Sequence, residues 1–205
     1  MIQPSSLIFI RHAPVKKAKD CLPDLDPEAI INYEDIENVA RNVPAGAEWY
    51  VSPLMRTVQT AQALAKFVTY QRILKDKNLI EQNFGDWQGK KISEVWNELR
   101  QDESKHNFSF TCPETIPPNG DSFLKQCKRV SSWLEELNFS QPRSIVVIAH
   151  GGTIRAALTY LMDLTPDKAI SVQILPLSLT KFEVLSCSDA KNRGGRFRII
   201  GLNRK

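Results

Sequence analysis

Two histidines come directly after short apolar runs, and their surroundings suit the binding of an anion. His12 follows LIFI and Arg11, and His150 follows SIVVIA. Short apolar runs that end at proline or glycine are typical of strands buried on both faces. In open α/β sheets, ligands bind outside the carboxyl ends of such strands. The pattern therefore predicts one shared site, while two histidines with purely structural roles remain the alternative.

The residues that follow these histidines and the next strand strengthen the prediction of an anion site. Gly151 and Gly152 allow the backbone to approach a ligand, and the helix that follows them offers free N–H groups. Arg56 is expected on the first turn of another helix, where its charge opposes the helix dipole unless an anion compensates it. Arg11 and Arg56 can then clamp phosphate oxygens in pairs, a geometry that a carboxylate satisfies less fully.

The elements that position these residues are also visible in the sequence, because strand-sized apolar runs alternate with helical patterns along the chain. This alternation predicts an α/β fold with a mostly parallel central sheet and helices on both faces. The expected strands cover about residues 7–11, 48–52, 72–80, 144–149, 172–175, 177–185 and 196–202. The expected helices cover about residues 26–33, 33–42, 53–68, 92–100, 121–137 and 153–164. Asp26 is expected to cap the first of these helices and Ser52 the third.

Length and composition narrow the function classes. The chain has 205 residues, 42% of them hydrophobic, and a net charge of +4. These values predict a single globular domain over 1–205, with a surface insertion or lid at 101–120. The charge is too low for a nucleic-acid binder, and no run is long enough for a membrane helix. Four scattered cysteines and three histidines without metal-ligand spacing favour a cytoplasmic protein without a metal site.

Four segments carry a resemblance to a known family. LIFIRHA, SPLMRTVQTAQAL, LIEQNFGDWQG and VVIAHGGTIRAAL resemble, in that order, the signature segments of the histidine phosphatase superfamily, the phosphoglycerate mutase-like enzymes. The resemblance spans about residues 7–160. It implies a three-layer α/β/α sandwich and a phosphohistidine mechanism that needs no metal or other cofactor. By position it implies that His12 is the nucleophile, that Arg11, Arg56 and His150 bind the phosphate, and that Glu81 is the general acid.

Elementary chemistry agrees with these implied roles. A neutral imidazole can attack phosphorus and form a covalent intermediate. A carboxylic acid must be neutral to protonate a leaving oxygen, so we expect desolvation to raise the pKa of Glu81. Asp86, five residues later, is the second candidate for the acid. Gly151 is expected to bind substrate through its backbone, and Ser122, in a segment that resembles the family's GGES, either contacts substrate or caps a helix.

The chain also departs from the family pattern. The usual RHG followed by Glu or Gln is replaced by Ala13-Pro14-Val15 after His12, and Lys16, Lys17 and Lys19 either line the mouth of the site or form a solvated loop. The RHAP sequence and the short length resemble the alpha-ribazole phosphatase-like branch. This favours a phosphatase acting on a small phosphorylated metabolite. A phosphoglycerate mutase-type phosphotransferase and a non-catalytic phospho-ligand-binding protein remain alternatives, and the oligomeric state is open, with a dimer among the options.

Two other phosphatase chemistries match poorly. Cys187 and Arg193 have the Cys-x5-Arg spacing of cysteine phosphatases, but glycines and a strand pattern follow where a helix should begin. Asp24 and Asp26 have the DxD spacing of aspartate-nucleophile phosphatases, but no apolar strand precedes them. Neither pair is therefore expected to carry the chemistry.

Overall fold

The computed structural model describes residues 3–99 and 106–205. Its six strands form one sheet in the order β3-β2-β4-β1-β5-β6. The strands are β1 (Ser5–Arg11), β2 (Ala47–Val51), β3 (Tyr70–Lys75), β4 (Ser144–Ala149), β5 (Leu179–Val184) and β6 (Phe197–Arg204). The helices are α1 (Tyr33–Ala40), α2 (Met55–Leu64), α3 (Ile92–Glu98), α4 (Phe123–Glu136), α5 (Gly151–Leu161) and α6 (Pro166–Ile170). The predicted α/β class is confirmed.

The direction of the strands explains where a site can form. β3, β2, β4 and β1 pair in parallel, whereas β5 is antiparallel to both of its neighbours. The carboxyl ends of the four parallel strands therefore lie at one edge of the sheet, and the loops that follow them converge there. The sheet is mostly parallel, as predicted.

Alternation along the strands produces the two helical layers. Leu7 and Phe9 of β1 pack in one core with α4, α5 and α6, while Ile8 and Ile10 pack in the other with α1 and α2. Successive side chains of a strand point to opposite faces, so a continuous apolar run fills both cores. The predicted three-layer α/β/α sandwich is confirmed, and it holds β1 and β4 rigidly at its centre.

Two predicted elements are wrong because tertiary contacts replace local preferences, and a third, the strand at 72–80, is present with a different end. Residues 26–33 form no helix, since Ile30 donates its amide to the Pro14 carbonyl and Ala29 bridges to Val15. The predicted strand at 172–175 is a loop, because side chains rather than a neighbouring strand bind its backbone. The predicted strand at 72–80 ends at Lys75 and continues as a short 3-10 helix over Lys77–Leu79.

The start of α2 and its cap differ from the prediction. α2 begins at Met55 and not at Pro53, and its N-cap residue is Leu54, which offers no side-chain acceptor. The carboxylate of Asp26 instead accepts from the Met55 amide at 2.7 Å, so Asp26 caps α2 from a distant loop. The expected insertion at 101–120 lies partly outside the described residues.

Candidate active site

Each of the four parallel strands sends at least one predicted site residue to the same edge of the sheet. Arg11 ends β1 and His12 follows it, and His150 follows β4 directly. Arg56 lies on the first turn of α2 after β2, and Glu81 lies in the loop that follows β3. The rings of His12 and His150 are 5.1 Å apart between centroids. The structure therefore brings these five predicted residues together at one edge of the sheet.

His12 is a buried and neutral imidazole. Its Nδ1 lies 2.6 Å from the carbonyl oxygen of Ala13, and its Nε2 lies 3.3 Å from Nε of Arg56, which donates to it. The pKa of His12 is lowered to about 3, chiefly by burial, with Arg56 and Arg11 adding to the effect and the Ala13 hydrogen bond opposing it. Nδ1–H bonded to Ala13 leaves the lone pair on Nε2. That nitrogen is the one available to attack an electrophile.

His150 is fully buried beside His12. Its Nε2 lies 2.8 Å from the hydroxyl oxygen of Ser52. Ser52, which the sequence predicts as a helix cap, thus contacts His150. Its Nδ1 is buried and has no hydrogen-bond partner among the described residues. Burial and then the charge of Arg56 hold the pKa of His150 well below its ordinary value. A buried polar atom without a partner is costly, so Nδ1 is placed for a ligand.

Two guanidiniums frame the imidazoles. NH1 of Arg11 donates to the Ile174 carbonyl at 2.6 Å, while its buried Nε has no partner among the described residues. Arg56 is 4% exposed, and its NH1 lies 3.3 Å from the Leu25 carbonyl and 3.6 Å from the Asp26 carboxylate. Burial lowers the pKa of both guanidiniums and the charge of Glu81 opposes this, so both remain cations. The site therefore holds two guanidinium charges that can pair with an anion.

Glu81 is held as an anion by its contacts with the protein, which corrects the expectation of a raised pKa. Burial raises the pKa of this carboxyl, but hydrogen bonds outweigh burial and the pKa lies below its ordinary value. Nε2 of Gln126 donates to Oε1 at 2.9 Å, and the amide of Gly152 donates to Oε2 at 3.1 Å. The amide of Gln82 and the charge of Arg56 act in the same direction.

Gly152 is needed because the Glu81 carboxylate lies against its Cα. A Cβ at this position would lie 2.2 Å from Oε1 of Glu81 and 2.9 Å from Oε1 of Gln126. We expect Gly152→Ala to displace the carboxylate and to slow hydrolysis of an alkyl phosphate about 100-fold. Folding should change little, because alanine favours the helix and the clashing atoms end a side chain. Steady-state kinetics and urea unfolding measure the two effects.

A double variant is the control for this prediction. If Gly152→Ala acts by moving the carboxylate, it should add little once Glu81→Gln is present. Full and independent losses in both backgrounds would contradict the proposed link between the glycine and Glu81.

The remaining candidates lie elsewhere. Ser122 is the N-cap of α4, where its hydroxyl accepts from the Lys125 amide at 3.2 Å, and a contact with substrate stays a prediction. Asp86 is exposed and accepts from Nδ2 of Asn119, which separates it from the imidazoles. Cys187 and Arg193 lie in the β5–β6 connection, at the opposite edge of the sheet, because β5 runs antiparallel to β1.

The sequence did not predict the contacts that three residues make in or near the site. Gln126 binds Glu81, but one amide inside a helical pattern carries no recognisable signal. Ser52 and Asp26 were visible as capping residues, yet a single sequence cannot show that their partners are His150 and a distant helix. The signal that could have found Asp26 is the absence of a capping side chain at Leu54.

Buried neutral histidines make stability depend on pH. In the unfolded chain both site imidazoles titrate near pH 6.5, whereas the folded pKa of each lies far lower. The unfolded chain therefore binds more protons below pH 6.5, and the free energy of unfolding falls as the pH falls. We expect a loss of about 1 kcal/mol per site histidine between pH 6.5 and 5.5, measured by urea unfolding.

His106 and His12 provide the comparison for this pH dependence. His106 lies outside the candidate site, where its ring contacts the Asp167 carbonyl, so His106→Ala should keep the wild-type slope of stability against pH. His12→Asn should flatten the slope by about half, since one of the two titrating groups is gone. A slope that is the same in His12→Asn and wild type would contradict the assignment.

Other expected features concern metals and membranes. Among residues 3–99 and 106–205, no group of three His, Cys, Asp or Glu side chains has the arrangement of a metal site. In the same described part of the chain, no helix combines the length and apolar character needed to cross a bilayer. Cys21, Cys127 and Cys187 are free thiols.

A family model and several curated proteins match the sequence. The model of the histidine phosphatase superfamily (branch 1) matches residues 7–193. A candidate phosphoserine phosphatase 2 of Hydrogenobacter thermophilus is 30% identical over 136 residues, or 66% of this chain and 65% of its own. A 2,3-bisphosphoglycerate-dependent phosphoglycerate mutase of Cytophaga hutchinsonii is 28% identical over 106 residues, or 50% and 48%. The chain thus spans about half to two thirds of the length of these two relatives. Phosphoserine phosphatase 1 of Hydrogenobacter thermophilus is 26% identical over 90% of this chain and 82% of its own.

Solved structures share the fold. A mycobacterial glucosyl-3-phosphoglycerate phosphatase superposes with a TM-score of 0.77 at 21% identity, covering 99% of this chain and 100% of its own. A candidate alpha-ribazole-5'-P phosphatase of Escherichia coli has a TM-score of 0.74 at 17% identity, covering 98% of each chain. An Entamoeba histolytica phosphoserine phosphatase, solved with 3-phosphoglyceric acid, has a TM-score of 0.73 at 22% identity, covering 98% of each.

Proposed function

We propose that this chain, which belongs to the histidine phosphatase superfamily, hydrolyses small phosphomonoesters through a phosphohistidine intermediate. The observation that carries the proposal is the convergence of two arginines and two neutral imidazoles at the start of α5. Nε of Arg11 and Nδ1 of His150 are buried there without partners among the described residues. A phosphate group bound between them would satisfy both atoms and would meet the free N–H groups of the helix.

In the first step, Nε2 of His12 attacks phosphorus and the bond from phosphorus to the ester oxygen breaks. Charge on the equatorial oxygens is stabilised by Arg11 and Arg56, by a hydrogen bond from His150 and by amides of α5, beginning at Gly151. The hydrogen bond from Nδ1 of His12 to the Ala13 carbonyl stabilises the positive charge that develops on the ring. The products are phosphohistidine and an alcohol.

The proton for the leaving oxygen comes from Glu81, whose protonation changes with the ligand. In the empty site the carboxyl is an anion, but a phosphate dianion close to it disfavours a second negative charge. Substrate binding would therefore raise the pKa of Glu81 and load it with the proton that it delivers. In this proposal the bound phosphate raises the pKa of Glu81, whereas the sequence analysis expected burial alone to raise it.

In the second step, Glu81 takes a proton from water, which attacks the phosphorus of phosphohistidine and breaks the P–N bond. Inorganic phosphate leaves and His12 returns to its neutral form. Glu81 thus acts first as acid and then as base, and both steps use the same positive pocket.

Phosphate release from p-nitrophenyl phosphate in the presence of EDTA tests the proposal. We expect turnover that is insensitive to the chelator, because guanidiniums and imidazole supply the positive charge. Loss of turnover with EDTA that a divalent cation restores would contradict it. Interconversion of 2- and 3-phosphoglycerate without phosphate release would favour a mutase, the activity in the name of one relative. Phosphate binding without turnover would favour a binding protein.

A further inference from the structure

A cavity opens beside the phosphate pocket and shares two residues with it, Arg56 and Glu81. We call it the side cavity. Its other walls come from the loop after β1, the start of α2 and the loop after β3. Its lining residues are Pro23, Asp24, Leu25, Leu54, Arg56, Ile80, Glu81, Gln82, Asn83, Phe84 and Gln88.

The position of Glu81 makes the side cavity the place for the organic part of the substrate. This step rests on the proposed function, in which Glu81 protonates the leaving oxygen. A general acid must lie within hydrogen-bond reach of that oxygen, so the carbon attached to it must be next to Glu81. The other side of the carboxylate is closed, because Gln126 and the amide of Gly152 occupy it.

The polar groups of the side cavity include the side-chain amides of Gln82, Asn83 and Gln88. Nε2 of Gln82 donates to the Asp121 carbonyl, and Nε2 of Gln88 donates to Oδ1 of Asn83. Nδ2 of Asn83 is directed to the Asn119 carbonyl at 3.4 Å. One N–H of each of these amides is thus used within the protein, and no described residue donates to the oxygens of Gln82 and Gln88, which can accept from a ligand.

The charged lining residues of the side cavity are two acids, Asp24 and Glu81, and one cation, Arg56. Asp24 is an exposed lining residue, and its carboxylate lies near Gly89, where a Cβ would be 3.0 Å from Oδ1. Arg56 is the only cation among the described lining residues, and it already contacts Leu25, Asp26 and His12. Lysines 16, 17 and 19, expected as candidates to line the mouth, are absent from the described lining.

We infer that the substrate's organic group carries hydrogen-bond donors, such as hydroxyls or an ammonium, and no second anionic group. A carboxylate or second phosphate in the side cavity would face Asp24 without a free cation to pair with it, because Arg56 is already engaged. Hydroxyl or ammonium donors would bind the free acceptors, and the apolar walls formed by Leu54, Ile80 and Phe84 would cover a carbon skeleton. The same lining disfavours bisphosphoglycerate as a ligand.

Two matched pairs of esters test this inference on the wild-type protein. Glycerol 1-phosphate and 3-phosphoglycerate share a carbon skeleton and differ by hydroxymethyl against carboxylate. Phosphoethanolamine and phosphoserine differ by the carboxylate alone. We expect kcat/KM to favour the member without the carboxylate by about tenfold or more in each pair. Equal values, or a preference for the carboxylates, would overturn the inference.

Reversing the charge of Asp24 tests whether this residue causes the preference for esters without a carboxylate. Asp24→Lys should lower the preference in both pairs by about tenfold, because it removes a repelling charge and adds an attracting one. Asp35→Lys makes the same charge change on the exposed face of α1, outside the side cavity, and should leave the preference intact. An unchanged preference in Asp24→Lys would overturn the role of Asp24.

The same measurements separate this inference from the proposed function. p-Nitrophenyl phosphate is included for every variant as a substrate with no second charge. Turnover of this ester together with a preference for 3-phosphoglycerate would overturn the inference alone. No turnover of any ester would overturn the proposed function and the inference with it.

Discussion

Replacing His12 with alanine is expected to lower kcat on p-nitrophenyl phosphate by at least about 10⁴-fold. The variant loses the only nitrogen placed to accept the phosphoryl group, while Arg11, Arg56 and His150 keep their positions. Substrate should still bind, so KM should change far less than kcat. Rapid-mixing and steady-state kinetics of phosphate release give both constants.

The chain contains a matched control for this variant. His106 is the third histidine of the sequence, is half-buried, and hydrogen-bonds only to backbone groups of Asp167 and Phe108 in the described structure. His106→Ala should therefore retain wild-type kinetics. Wild-type enzyme quenched during turnover should carry a phosphoryl group that is lost in acid and kept in base, and His12→Ala should carry none. An acid-stable phosphoenzyme would rule out phosphohistidine.

Replacing Glu81 with glutamine should separate substrates by their leaving groups. Alkyl phosphates need a proton on the departing oxygen, so their kcat/KM should fall about 10²- to 10⁴-fold. p-Nitrophenolate leaves without help, so its kcat/KM, which reports the first step, should fall less than about tenfold. Glutamine keeps the size of the side chain and still accepts from Gln126 or Gly152, which limits structural change.

Asp86→Asn is the control, since Asp86 was the other candidate acid and lies exposed beside Asn119. It should leave both classes of ester unaffected. Equal losses on alkyl and aryl esters in Glu81→Gln, or a selective loss in Asp86→Asn, would remove Glu81 from its proposed role.

Much of this site was predictable because burial and chain breaks mark the ends of strands. The runs before Arg11 and His150 are apolar at every position, as a central parallel strand requires, and the residues that follow them were therefore assigned to one edge of the sheet. The three-layer architecture followed from the alternation of strands and helices. These features depend on local pattern, which a single sequence contains.

Contacts between segments that are far apart in the sequence could not be predicted from local pattern. The predicted strand at 172–175 is apolar enough for a sheet, yet its carbonyls bind the side chains of Arg11 and Arg155. The direction of the Glu81 pKa shift depends on Gln126 and Gly152, which lie 45 and 71 residues away. Burial was foreseen, but the donors that outweigh it are visible only in the folded chain.

The cap that Asp26 provides for α2 has a practical consequence for attempts to alter substrate range. The loop that borders the side cavity at Asp24 and Leu25 also holds the helix that carries Arg56. Exchanging the whole loop would remove the acceptor for the Met55 amide and the carboxylate beside Arg56 in the same step. Directed-evolution libraries should therefore randomise positions 23–25 and keep Asp26 constant, so that selectivity can drift while the catalytic arginine stays anchored.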